Sequence, residues 1–145
     1  MNRLKTIPIN FLKCGVAGWC MEVVFTALGS ILSHDWRMMG HTSLLMFPIY
    51  GFGALLEPIG AWVDRWIGEI DLSAPDRIIR HGLLYMVLIF VGEYASGAWL
   101  NARGICPWDY SGTRTSVDGL IRLDFAPLWF AAGLLFERIS KKRGK

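Results

Sequence analysis

Two glutamates, Glu22 and Glu93, stand inside long apolar stretches of the sequence. At a rise of about 1.5 Å per residue, Glu22 lies roughly 18 Å along a helix that begins near Asn10, and Glu93 roughly 20 Å along one that begins near Arg80. Both positions fall deep in a hydrocarbon layer about 30 Å thick. A charge there costs at least about 2.5–3.5 kcal/mol, so we interpret both as members of a functional polar site, with a structural hydrogen-bonded carboxyl as the alternative.

Polar and aromatic residues between positions 108 and 124 provide further candidates for this site. Arg122 could neutralise Glu93 or either of two nearby aspartates, and pairing would lower the cost of drawing these charges towards the membrane. Tryptophan and tyrosine are also typical membrane-interface anchors, which is the alternative for the two aromatics. We predict an outward-facing polar pocket that combines Glu22 and Glu93 with these residues. They are Trp108, Asp109, Tyr110, Arg122 and Asp124.

Four apolar stretches must hold these residues in place. The 145-residue chain is 53% hydrophobic, with a mean hydropathy of +0.37, which is too apolar for an ordinary soluble domain. We predict an all-α fold: a polytopic membrane protein of one transmembrane domain, residues 1–145, with four helices in a bundle. The predicted spans are 10–33, 42–63, 80–100 and 118–138. The uncharged part of the fourth, 125–136, is too short to cross alone, so this span must draw in Arg122 and Asp124, or Glu137.

Local signals refine the second and third spans. Ser73 and Asp76 form a helix-start pattern with Pro75 between them, so the third helix is expected to extend beyond the membrane. Pro48 and Pro58, together with several glycines, make the second span irregular. Such breaks survive in a membrane only where the freed backbone groups find partners or water, which indicates a cavity beside this span.

Basic residues predict the orientation. Most of the 15 lysines and arginines stand in the N-terminal segment, between spans two and three, and in the C-terminal tail. By the positive-inside rule, both termini are expected in the cytoplasm, and the location is predicted to be the bacterial cytoplasmic membrane. The lipid bilayer is therefore the expected surrounding, and no nucleic-acid partner is predicted.

A face of small and polar residues runs along the first span, because positions three and four apart share one side of a helix. It indicates either a packing seam with one buried carboxyl or a seam that opens around Glu22. Glu93, with Ser96 and Gly97, repeats the pattern in span three, so we expect helices one and three to face each other. The residues of the first face are Gly15, Gly18, Glu22, Thr26, Gly29 and Ser33.

Other titratable residues are weaker candidates. Glu57 and Glu137 stand near the predicted cytoplasmic ends beside basic residues, where snorkelling and surface pairing account for them, so both are secondary candidates. The three cysteines and three histidines lack metal-ligand spacing. We therefore predict no metal site and no cofactor.

Several motifs together resemble a known family. They are Gly18-Trp19 with Glu22 and Thr26, Phe47-Pro-Ile-Tyr-Gly-Phe-Gly53, Glu93 with Gly97, Cys106-Pro-Trp-Asp-Tyr-Ser111, and Gly119-Leu-Ile-Arg-Leu-Asp124 followed by Trp129 and Glu137. This set, from Gly15 to Glu137, resembles the ABC-transporter permeases of the CmpB type, whose animal relatives form the transmembrane protein 229 group. The resemblance implies a permease-like role but no known catalytic residues, and it adds Trp19, Thr26 and Tyr50 as secondary candidates.

The leading functional hypothesis is a small transporter or permease-like subunit that binds a small solute or a lipid head group in the outward pocket, with Glu22 and Glu93 used for binding or for proton coupling. The sequence contains no phosphate-binding G-x-x-x-x-G-K-[ST] loop, so ATP-driven transport would need a separate ATPase chain. Four helices are few for a pathway, and a homodimer would supply eight. The alternatives are a membrane enzyme acting on a lipid or quinone, with Asp109, Glu93 or Glu22 as acid or base, and a non-catalytic assembly or sensor partner.

Overall fold

A computed structural model describes residues 6–67 and 73–141. Arg3, Lys5 and most of the basic tail, which contribute to the predicted orientation, lie outside these residues. The described part is mostly helical. Its elements are α1 (Ile7–Leu32), α2 (Met46–Gly51), a 3-10 turn (Phe52–Leu55), α3 (Leu56–Ile67), α4 (Ala74–Asn101), β1 (Ser116–Val117), β2 (Ile121–Arg122), a second 3-10 turn (Leu123–Phe125) and α5 (Ala126–Ser140).

Among the described residues, three helical segments are long and apolar enough to cross a membrane: Ile7–Leu32, Met46–Ile67 and Ala74–Asn101. A crossing needs about 20 predominantly apolar residues, and each of these segments provides at least that many. This confirms the prediction of a helical membrane protein. The first three predicted spans, 10–33, 42–63 and 80–100, overlap these three segments.

The predicted fourth span, 118–138, is an α-helix only in its later part. Helix α5 begins only at Ala126, with Pro127 in its first turn, and its 15 residues reach about 22 Å. The preceding residues form a small antiparallel hairpin in which Val117 pairs with Ile121. Asp118 and Gly119 both have positive φ and form the turn of this hairpin. The fold is therefore not purely α-helical.

The irregularity predicted for the second span is confirmed. The 3-10 turn Phe52–Leu55 separates α2 from α3 without a loop between them. Pro58 has no N–H to donate to the carbonyl four residues before it, which favours a change of helical geometry at this point. The turn brings Gly53 against the ring of Phe136 on α5.

The N-terminal cap of α4 is also as predicted. The Ser73 side chain accepts a hydrogen bond from the backbone N–H of Asp76, and α4 starts at Ala74. This helix is longer than the bilayer requires, so its first turns lie beyond the predicted span 80–100.

Helices α1 and α4 belong to two different packed pairs. Helix α1 packs mainly on α2, with Gly15 against the ring of Phe47 and Gly18 against Tyr50, whereas α4 packs mainly on α5. Helices α1 and α4 therefore face each other across a cavity instead of packing directly. The buried apolar core between the pairs consists of Cys14, Ala54, Leu56, Tyr85, Ala132 and Phe136.

The two ends of the bundle can be distinguished by their contacts. At one end, the Asn10 side chain of α1 donates a hydrogen bond of 3.1 Å to the carbonyl of Ser140 at the end of α5. We name this the terminal end. The segments 33–45, the first loop, and 102–125, the second loop, connect the helices at the opposite end, which we name the loop end.

A candidate acidic cavity

A cavity of about 440 Å³ lies between the loop end and the apolar core. It brings together Glu22 of α1 and Glu93 of α4, which are 71 positions apart in sequence. Leu56, Leu88, Ala132 and Phe136 contribute to its apolar lining and belong to, or pack against, the core. Its aromatic lining consists of Phe25, Tyr50, Phe52, Trp108, Tyr110, Phe125, Trp129 and Phe136.

Glu22 is held by the first loop. The Thr42 hydroxyl donates a hydrogen bond of 2.7 Å to Glu22 Oε2. Thr26 fixes the same loop to α1, because its hydroxyl accepts from the His41 N–H at 2.9 Å and lies 3.0 Å from the His41 carbonyl. Thr26 lines the cavity. Through its contacts with His41, it also positions the loop that supplies Thr42.

Glu93 is held by two neutral donors. The Tyr110 hydroxyl donates to Oε1 at 3.3 Å, and the Trp129 indole N–H donates to Oε2 at 3.1 Å. Burial, followed by the neighbouring Glu93 carboxylate, raises the pKa of Tyr110, so the phenol remains a protonated donor. These contacts orient the carboxylate from both the second loop and α5.

The two glutamates share their neighbours. Tyr50 of α2 and Tyr110 of the second loop each interact electrostatically with both Glu22 and Glu93. The cavity thus contains a group of two carboxylates and two phenols drawn from α1, α2, α4 and the loop. Among the described residues that line it, none is lysine or arginine.

The remaining primary candidates lie behind the lining. Asp109 accepts hydrogen bonds from the N–H and the hydroxyl of Ser111, at 2.9 and 2.6 Å, and these bonds lower its pKa. Arg122 pairs with Asp124 at 2.5 Å. Of the three acidic partners considered for this arginine, Asp124 is the nearest in sequence. Thr115 also donates to Asp124, and the arginine together with this threonine lowers the pKa of Asp124 to about 2.

These loop residues support the cavity wall. The Arg122 guanidinium lies 4.3 Å from the centre of the Phe125 ring, which itself lines the cavity. Gly119 has a φ of 73°, and a side chain there would lie 3.0 Å from Asp109 Oδ1. The Asp109 turn and the hairpin are therefore packed tightly together over the cavity.

Two of the predicted tryptophans differ in their placement. The ring of Trp108 lines the cavity, while its indole N–H donates to the Leu120 carbonyl at 2.9 Å. Trp19 lies outside the lining, where it donates to the Ser43 carbonyl at 3.0 Å and packs on Phe47. Trp19 is thus a loop anchor in this structure.

Sequence reasoning missed Thr42 and Trp129 as site residues. Thr42 stands at the predicted start of span two and gave no signal of its own. Trp129 has one available signal, because Phe125, Trp129, Ala132 and Phe136 recur at steps of four and three and all line the cavity. Nothing in that spacing identifies Glu93 as the partner of the indole.

A second polar cluster lies at the terminal end. The interpretation of Glu137 as a surface-paired residue is wrong, because its exposed fraction is only 7%. Its Oε1 lies 2.8 Å from Nδ1 of His81, whose Nε2 lies 3.0 Å from Asp64 Oδ1. Lys141 and Arg80 complete the cluster by pairing with Glu137 and Asp64, respectively.

This cluster links α3, α4 and α5 at the end opposite the cavity. The sequence did not indicate that Asp64 and His81 belong to such a cluster, because their partners depend on how the helices pack. Glu57, the other secondary candidate at this end, is not part of the cavity lining and interacts electrostatically with Tyr85. Within residues 6–67 and 73–141, no group of three or more His, Cys, Asp or Glu side chains could hold a metal ion.

The fold and the cavity define a helical membrane protein in which half-buried acidic side chains and aromatic rings line a space of small-molecule size. The chain belongs to the family described as "Putative ABC-transporter type IV", whose family model matches residues 9–143. This confirms the resemblance drawn from the sequence motifs. The match covers nearly the whole chain, including both glutamates and the second loop.

Partial similarity to curated proteins is also present. The chain is 32% identical over 76 residues to the ribonucleoside-diphosphate reductase subunit M2 of Macaca fascicularis, covering 52% of this chain and 19% of that protein. The corresponding subunit of Rattus norvegicus is 32% identical over 85 residues, covering 58% and 21%, respectively. The chain thus spans about a fifth of the length of these relatives. No solved structure matches the chain significantly.

Proposed function

We propose that this protein is a permease-like membrane subunit that binds a small solute or a lipid head group in the acidic cavity. The observation that carries the proposal is the convergence of Glu22 and Glu93, from two different helices, on one cavity. Intramembrane carboxylates are costly, and a purely structural pair would be expected in a packed core without such a space.

The cavity has the features of a small-molecule site. Its volume of about 440 Å³ lies within the usual range of roughly 300–1,000 Å³ for such sites. The two carboxylates are held by neutral hydrogen-bond donors, not by a basic side chain. These donors are Thr42, Tyr110 and Trp129. A ligand would therefore meet preorganised acceptors, which reduces the cost of ordering the site on binding.

The proposed topology has four crossings. The bond between Asn10 and Ser140 supports an even number, because it joins the start of α1 to the end of α5. Helix α5 runs antiparallel to α4, since Trp129 reaches Glu93 at the loop end and Glu137 reaches His81 at the terminal end. Its short length fits a crossing completed by the 3-10 turn and loop that cover the cavity. The basic residues favour a cytoplasmic terminal end, in a bacterial cytoplasmic membrane.

Family membership supports a separate ATPase chain as the energy source. A homodimer would supply eight helices to a pathway and remains part of the proposal. Reporter fusions at both termini test the topology: activity of cytoplasmic reporters at both ends is expected, and a periplasmic reporter active at the C-terminus would overturn four crossings.

Ligand retention tests the binding function. Purified protein in nanodiscs is incubated with a cellular small-molecule and lipid extract, washed, and analysed by mass spectrometry for retained compounds. We expect retention by the wild type and by Glu57→Gln, a control outside the cavity, and loss in Glu22→Gln and Glu93→Gln. Thermal unfolding shows whether the variants remain folded, and charge-preserving Glu22→Asp and Glu93→Asp provide a second comparison.

Transport is then tested with the retained compound. Its exchange across proteoliposome membranes should require both glutamates, with the ATPase chain added where equilibrium exchange is slow. The same compounds retained by all variants would refute binding in this cavity. A compound chemically altered by the wild type alone would indicate an enzyme, and a stable co-purifying protein with no retained ligand would indicate an assembly role.

A further inference from the structure

The charge of the cavity is one-sided. Glu22 and Glu93 are the acidic lining residues, and the described lining contains no lysine or arginine. Arg122, a base outside the lining, is paired with Asp124 and lies against the Phe125 ring. The other titratable lining side chains are those of His41, Tyr50 and Tyr110.

The hydrogen-bond donors around the carboxylates are already engaged. The hydroxyl of Thr42 donates to Glu22, while Tyr110 and Trp129 donate to Glu93. The indole of Trp108 donates to a backbone carbonyl. When they are ionised, the two carboxylates are acceptors only, with about four lone-pair sites each, so acceptor capacity remains where these donors are used up. An anionic ligand would find repulsion and few donors, whereas a cation would be attracted by the two carboxylates whether or not it carries an N–H donor.

Aromatic rings form much of the remaining wall. Four rings line the cavity: those of Trp108, Tyr110, Phe125 and Trp129. Phe125 packs edge to face with Tyr110 and also with Trp129. The faces of aromatic rings carry partial negative charge and attract cations, with tryptophan the strongest. Cages of such rings are a recurrent way to bind substituted ammonium groups.

We propose that the ligand of this cavity is an organic cation: a substituted ammonium group with an apolar body. Its charged centre lies between Glu22 and Glu93, and its body contacts the aromatic wall. The inference rests on the proposed function, because it names the ligand class of the same site. Two sources share this chemistry, a free amphiphilic amine and the ammonium head group of a membrane lipid.

Three probes that share one phenylmethyl body test the charge preference. They are benzyltrimethylammonium, its neutral carbon isostere neopentylbenzene, and the anion phenylmethanesulfonate. Binding is followed in maltoside micelles, which contain no ammonium group, by calorimetry and by the fluorescence of the lining tryptophans. We expect the cation to bind at least about tenfold more tightly than the isostere, with the anion weakest. Equal binding of the three probes, or preference for the anion, would overturn the inference.

Variants show whether the cation binds at this site. Cation affinity should fall at least about tenfold in Glu22→Gln and Glu93→Gln and be retained in Glu57→Gln. Trp129→Phe keeps a ring but removes the donor to Glu93, so it should retain more affinity than Trp129→Leu. Unchanged affinity in both glutamine variants would overturn the inference even if the cation binds elsewhere on the protein.

A lipid arm distinguishes the two sources. Probe binding is compared in nanodiscs of phosphatidylglycerol with and without phosphatidylcholine: competition by phosphatidylcholine supports a lipid head group, and undiminished probe binding supports a free amine. The outcome also separates this inference from the proposed function. A neutral or anionic compound retained from extract in a glutamate-dependent way would refute the cation class while leaving the binding function intact.

Discussion

Gly18 provides a direct test of how α1 approaches α2. A methyl group added at this position would lie 2.5 Å from Cδ2 of Tyr50, and Cγ and Cβ of that residue would be nearer still. Because the Cβ atom of Tyr50 is fixed to its backbone, a rotamer change of Tyr50 cannot relieve the overlap of that atom with the new methyl group. The two helices must therefore separate. Overpacking of this kind typically costs about 1–3 kcal/mol, and we expect Gly18→Ala to lie in the upper half of that range.

Gly29 is the matched control in the same helix. A methyl group there would meet nothing within 4 Å. Replacing a helical glycine by alanine stabilises by roughly 0.5–1 kcal/mol where no clash occurs, so Gly29→Ala should be neutral or slightly stabilising. The two variants make the same chemical change and differ only in what the new methyl contacts.

Reversible unfolding in mixed micelles of denaturing and mild detergent measures both free energies. Gly18→Ala should also alter the acidic cavity, because Tyr50 interacts with Glu22. Wild-type stability in Gly18→Ala would refute the close approach of α1 and α2 and, with it, the placement of Glu22 on the cavity.

Two further predictions concern the polar clusters. Glu137→Leu should lower the free energy of unfolding by about 3 kcal/mol, because it removes a buried partner of His81, and His81→Leu with Glu137→Leu should cost less than the sum of the single variants. Equilibrium unfolding of the double-mutant cycle measures the coupling. Separately, the pKa of Asp124 is lowered to about 2. Its stabilising contribution is therefore fully present above its ordinary pKa of about 3.9 and is lost as pH falls through about 2. Hydrogen exchange at the Leu123 amide, which bonds the Thr115 carbonyl, should lose protection over that interval, whereas Asp124→Asn should show no such pH dependence.

Each of these predictions has its own control. Asp35→Asn breaks an exposed pair with Arg37 and should leave the free energy of unfolding almost unchanged, since surface pairs contribute little. Additive effects of His81→Leu and Glu137→Leu would contradict a direct contact between the two side chains. Protection at Leu123 that persists in the wild type at pH 2 would contradict a stabilising role for the ionised Asp124 carboxylate.

Much of the architecture could be predicted because the bilayer restricts what a sequence can do. Long apolar stretches in a membrane must be helical, since backbone groups find no water there, and this determined the first three spans. The Ser73 cap and the irregular second span followed from local backbone chemistry in the same way. The fourth span could not be placed so well, because its competing hairpin depends on loop contacts such as that between Arg122 and Asp124.

The candidate site likewise has some features that the sequence determines and others that depend on the tertiary structure. The sequence by itself determined that Glu22 and Glu93 are deep in apolar helices, because depth depends only on the number of residues from the helix start. Only the tertiary structure decided that the two side chains line one cavity, that Trp129 donates to Glu93, and that Glu137 is buried against His81. Side-chain partners far apart in sequence depend on how helices pack and turn about their axes, and this geometry has no periodic signal in the chain.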